Sequence, residues 1–104
     1  MLLCQWHLDI VYGHQAEALA ILRAWGVEKA ASSEFRRARA TRLMVGHVGV
    51  SPSHVVDEYS FDSLGDFEAA LDGMGAPQFR RHSDALAPHV VPGSQRWEVY
   101  RVAG

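Results

Sequence analysis

The chain has 104 residues, 48% of them hydrophobic and 21% charged, with a formal net charge of −2; this suits one globular domain, residues 1–104, built on a single core. Ten basic residues against twelve acidic ones give no electrostatic reason to expect nucleic acid or an anionic membrane, and a lone cysteine excludes an internal disulfide or a multi-cysteine metal site. No apolar run approaches the roughly 18 residues that span a bilayer, and MLLCQWHLD lacks the basic region of a signal peptide, so the expected compartment is the cytoplasm.

CQWHLDIVYG, residues 4–13, alternates with a strand's period of two. Cys4, Trp6, Leu8, Ile10 and Tyr12 fall on one face; Gln5, His7, Asp9 and Val11 fall on the other. After Gly13, HQAEALAILRAWG places Ala18, Leu19, Leu22 and Trp25 at helical spacing, which predicts a helix over about 14–30. Within it Lys29 is the one lysine beside nine arginines, a bias that GC-rich coding explains. A second strand is expected over 39–50, where Gly46 and Gly49 mark a bulge or a close backbone approach. The turn SPSH leads into a third strand, 54–61, antiparallel to the second.

Ser63 and Asp66 resemble a capping box, and Leu64, Phe67, Leu71 and Met74 then repeat at threes and fours. Pro77 suits the first turn of a further helix, with Phe79, Leu86 and Val90 inward, before a last strand over 96–102. The order β-α-β-β-α-α-β predicts an α+β, ferredoxin-like fold: a four-stranded antiparallel sheet with helices on one face. If the polar sets of the strands share the other face, His7, Asp9, Glu58, Ser60, Glu98 and Tyr100 line it together.

DEYSFDSLGDFEAALDGMGAPQFRRHSDALAPHV resembles the C-terminal half of the antibiotic-biosynthesis-monooxygenase-like proteins of the dimeric α+β barrel superfamily. A strand ending in an aromatic (Phe61) leads to a helix, then Ala76-Pro77-Gln78-Phe79 opens another that ends in Ala85-Leu86-Ala87-Pro88. The likeness covers about residues 55–92, and the His frequent in the family falls at Gln78. It implies a dimeric α+β barrel, a homodimer with one pocket per subunit between sheet and helices, and activities that range from cofactor-free oxygenation of quinol-like aromatics to isomerisation and ring closure.

Within that frame His7 and Asp9, two apart on one strand face, form the candidate catalytic pair. A carboxylate beside an imidazole orients it and raises its pKa, as a general base requires. Gln5, Glu58, Tyr100 and, from the second helical region, His82 are the candidate substrate-binding residues. The six histidines fall in pairs seven apart, a spacing too long to share one ion, so no metal is expected and no cofactor is required. The leading expectation is a pocket on the open sheet face for a small organic ligand, with oxygenation of an electron-rich aromatic as the reaction. A proton-transfer isomerase or cyclase using the same pocket, and a non-catalytic ligand-binding or structural dimer, are the alternatives.

Overall fold

The alternation in the first strand decides the layering. In β1 (Leu2–Asp9), Cys4, Trp6 and Leu8 are buried on the side that carries the helices, while Gln5, His7 and Asp9 face away. A computed structural model describes residues 1–104 and adds β2 (Ala40–Val45), β3 (His54–Phe61) and β4 (Arg96–Arg101), with helices α1 (Gln15–Ser32), α2 (Leu64–Gly73) and α3 (Arg80–Leu86). All neighbouring strands are antiparallel in the order β2-β3-β1-β4, so the chain has the predicted α+β ferredoxin-like fold. Short 3-10 turns at Glu34–Arg37, Pro77–Phe79 and Ala87–His89 join the helices to their surroundings. No helix is long and apolar enough to cross a membrane.

The core on the helix side is built around tryptophan. Trp6 of β1 stacks on Trp97 of β4 at 6.1 Å and meets Trp25 of α1 edge-on at 5.7 Å. Helix α1 buries Ala18, Leu22, Trp25 and Lys29, spaced four, three and four apart, which is one continuous stripe on a 3.6-residue helix. Ser63 caps α2 by accepting from the Asp66 amide at 3.2 Å, and Phe79, Leu86 and Val90 are buried as their spacing predicts.

The first two strands and the burial of one helix differ in detail from the expectation. Strand β1 begins at Leu2 and ends at Asp9, and Tyr12, beyond it, is 91% exposed. The second strand stops at Val45 instead of running to residue 50. Gly46 lies so close to the Ser51 backbone that a Cβ there would fall inside the Ser51 carbonyl oxygen, and Gly49 has φ +77°. The glycines therefore fold residues 46–53 into a tight loop, which leaves Val48 and Val50 exposed. On α2, Leu64 is exposed, and Phe67 and Ala70 are the buried members of its stripe.

Two outcomes follow. Gly46→Ala must open the loop and is expected to lower the unfolding free energy by about 1–3 kcal/mol, read by urea denaturation. Cys4 is fully buried and burial pushes its thiol up to about 11. It should resist a thiol-specific dye in native buffer near pH 8 and react stoichiometrically once the chain is unfolded; rapid native labelling would contradict its place in the core.

Candidate functional site

On the open sheet face the strand register sets His7 opposite Val56 and Arg96, Gln5 opposite Glu58 and Glu98, and Asp9 opposite His54. The predicted polar residues therefore do share one face, together with His54, and Arg42 of β2 reaches Glu58 there. Asp9, His54, His7, Gln5, Glu58 and Arg42 form a continuous chain of hydrogen bonds. Asp9 Oδ1 accepts from His54 Nδ1 at 2.7 Å; His54 Nε2 lies 2.8 Å from His7 Nδ1; and His7 Nε2 lies 2.9 Å from Gln5 Oε1. Gln5 Nε2 donates to Glu58 at 2.8 Å, and Arg42 Nε donates to the other Glu58 oxygen at 2.6 Å. On the β4 side, Arg96 and Tyr100 donate to Glu98, each at 2.7 Å.

The arrangement changes the roles expected of the two candidate catalytic residues. Asp9 orients His54, because the cross-strand neighbour is nearer than the residue two along the same strand. His7 is 8% exposed and has both ring nitrogens engaged. Burial lowers its pKa, as do Arg96 and His54, against the opposing pull of Glu98. For Glu58, burial pulls the carboxyl upward, but the hydrogen bonds from Arg42 and Gln5 outweigh it and hold the group below its usual range. The cavities of the chain are lined by neither His7, Asp9, Gln5, Glu58 nor Tyr100.

The larger concavity lies on the other side of the sheet. A cavity of about 420 Å³ opens between α1 and the β2–β3 edge, walled by Leu22, Val27, Phe35 and Leu43, with Asp57 and Tyr59 of β3 among its lining; that volume is in the range of small-molecule sites. Gly26 of α1 also borders it, and a Cβ there would meet nothing within 4 Å. A mid-helix glycine costs about 1 kcal/mol relative to alanine, and here its missing side chain leaves room in the cavity.

Beside that cavity sits Lys29, 0% exposed. Its Nζ lies 4.8–5.6 Å from the ring centroids of Trp25, Tyr59, Phe35 and Trp6 and 3.4 Å from Asp57 Oδ2. Tyr59 donates its hydroxyl to the same Asp57 oxygen at 2.6 Å. Burial pulls the Lys29 pKa down while Asp57 resists; burial and then the Asp57 charge push the Tyr59 phenol up, so it stays protonated as a donor. Asp57 Oδ1 makes no hydrogen bond within the chain and, unlike Trp25 Nε1, is not sealed from the surface. Asp57 also lines the cavity.

His82 does not join the open-face group. It lies in the helix layer, stacked on Trp25 at 5.9 Å and bonded through Nε2 to Glu28 of α1, which Arg81 also engages. Gln78, where the family's His would fall, donates to the Ser32 carbonyl at the end of α1. The histidines that meet are His7 with His54 and His14 with His89, pairs contributed by different elements. No three His, Cys, Asp or Glu side chains converge as a metal site would need. Lys29 and Asp57 escaped the sequence reading although each carries a visible signal. Lys29 falls on the apolar stripe of its helix, and Asp57 interrupts the apolar set Val55, Tyr59, Phe61 of its strand.

No family model matches the sequence, and no curated protein matches it significantly. Solved structures do resemble the fold. A NIPSNAP domain protein from Burkholderia xenovorans superposes with a TM-score of 0.77 at 20% identity, covering 99% of this chain and 95% of that one. A NIPSNAP family protein from Agrobacterium tumefaciens gives 0.76 at 16% identity, covering 98% and 92%. An antibiotic biosynthesis monooxygenase gives 0.71 at 16% identity over the full length of both chains. The chain thus has the fold shared by the NIPSNAP and antibiotic-biosynthesis-monooxygenase-like proteins, and the latter are the group that its residues 55–92 resemble.

Proposed function

We propose that this protein binds a small electron-rich aromatic in the cavity between α1 and the β2–β3 edge and oxygenates it without a cofactor, as a homodimer that pairs its open sheet faces. The observation that carries the reading is the Asp57 carboxylate: one oxygen is held by Lys29 and Tyr59, the other has no hydrogen bond within the chain, and the residue lines a largely apolar cavity of ligand size. Asp57 replaces His7 as the base, since His7 borders no cavity and both its nitrogens are taken.

In the proposed reaction Asp57 Oδ1 removes the proton of a phenolic hydroxyl, and Lys29 and Tyr59 hold the base in place through Oδ2. The phenolate gives one electron to O₂, and the resulting pair joins at a ring carbon that carries hydrogen, forming a hydroperoxide. Loss of that ring hydrogen as a proton, with cleavage of the O–O bond, leaves a carbonyl on the ring. The departing hydroxide leaves as water. The balance is one phenol and one O₂ to one quinone and one water. O₂ is the only oxidant required.

The test is oxygen uptake by the purified protein with a panel of hydroxynaphthalenes and quinols. Asp57→Asn should lower turnover about 10²- to 10⁴-fold, the usual contribution of a positioned base. Asp57→Ala leaves the Lys29 charge buried and unpaired and should cost about 3–5 kcal/mol of stability. The double change Lys29→Met with Asp57→Asn removes both charges and keeps the fold available for assay. Gly26→Leu should fill the cavity and abolish ligand binding, seen as loss of tryptophan-fluorescence quenching, without unfolding the chain. Conversion of a ligand with no oxygen uptake would identify a proton-transfer isomerase or cyclase, and binding without conversion a ligand-binding dimer. Full activity in Asp57→Asn would remove the base from this cavity.

A further inference from the structure

The hydrogen bonds on the open sheet face can be counted, and the count does not close with neutral histidines. His54 Nδ1 must carry a hydrogen to donate to the Asp9 carboxylate. One hydrogen must lie between His54 Nε2 and His7 Nδ1. His7 Nε2 must carry another, because it faces the carbonyl oxygen of Gln5, whose amide nitrogen is committed to Glu58. Turning the Gln5 amide over would set its carbonyl against the Glu58 carboxylate. The four ring nitrogens therefore need three hydrogens, and two neutral imidazoles supply two.

The charges on the same face give the same answer. Asp9 on β1, Glu58 on β3 and Glu98 on β4 are negative; Arg42 on β2 and Arg96 on β4 are positive and paired to Glu58 and Glu98. Tyr100 donates to Glu98, and His47 shares the cavity at the β2–β3 loop with His54. Three carboxylates against two guanidiniums leave one negative charge, which a third hydrogen on the histidine pair cancels. In an isolated chain, water can solvate the imbalance. Against a second copy it cannot, and burying unpaired charge is costly.

We infer that the open sheet face is a proton-linked interface, on which each subunit takes up one proton at the His7–His54 pair when two copies associate. The inference rests on the homodimer proposed above. Burial alone lowers the His7 pKa, but in the dimer the negative charge left over on the face loses its water and outweighs that effect, so the pair binds the proton more tightly than in the free chain. The linkage therefore stabilises the dimer at low pH and is lost as pH rises through the titration of the associated pair, at up to about 100-fold in Kd per pH unit for two protons per dimer.

Asp9→Asn separates this linkage from any other pH effect. An asparagine can turn its NH₂ toward His54 Nδ1, so the chain of contacts closes with two hydrogens, and the face is neutral without a third. Asp9 is half-exposed and its side chain holds only His54, so the variant should fold; circular dichroism checks that. By sedimentation equilibrium at constant ionic strength, the unmodified chain should dimerise at least ten times more tightly at about pH 6 than at about pH 8, and Asp9→Asn should show no such difference. A dimer of equal strength at both pH values overturns the proton linkage and leaves the homodimer standing, as does a pH dependence that survives in Asp9→Asn. A monomer under both conditions overturns both readings.

Discussion

The layers on the helix side of the sheet meet at one ammonium that is shut off from solvent. An isolated buried charge costs several kcal/mol after relaxation, and Lys29 offsets this with a carboxylate and four aromatic rings. Those rings come from β1 (Trp6), α1 (Trp25), the turn after α1 (Phe35) and β3 (Tyr59). The pair therefore joins the layers of the domain to one another. A lysine suits the position better than the arginines used elsewhere in the chain, because a compact point charge fits among ring faces, whereas a planar guanidinium seeks a carboxylate in its own plane.

The two sides of the sheet treat charge differently, and β3 shows it in two consecutive residues. Asp57 points toward the helices and is neutralised by one lysine from another element. Glu58 points the other way and is held by Gln5 of one neighbouring strand and Arg42 of the other. The inner pair concentrates its field beside a cavity. The outer group spreads its hydrogen bonds over β1, β2 and β3, so it ties those strands together and presents a partly charged surface.

Much of this was legible in the sequence because strand parity is a strong constraint. The alternation of β1 sorted Cys4, Trp6 and Leu8 from Gln5, His7 and Asp9, and the same rule on β3 and β4 gathered Glu58, Ser60, Glu98 and Tyr100 on the second face. Parity does not give register. Asp9 and His7 are neighbours along one strand, but the pairing of β1 with β3 brings His54 opposite Asp9, and the cross-strand partner takes the bond. The second strand was read too long because Val48 and Val50 have strand propensity, which the backbone approach at Gly46 overrides. The cavity between α1 and the sheet depends on how far the helix stands from β2. That distance is set by packing, and no local pattern encodes it. His82 could not be placed without knowing how α3 turns against α1.

Strands β2 and β4 bound the sheet, and both are short. Arginines lie within or next to both: Arg39 just before β2 and Arg42 within it, Arg96 and Arg101 at the two ends of β4. Unpaired backbone at a sheet edge is a template for adding further strands, and charged side chains on short edge strands discourage that addition. Growth of the sheet sideways into ribbons or fibres is thereby disfavoured at both ends. In the homodimer proposed above the open faces associate instead, and a face-to-face contact of two copies closes on itself.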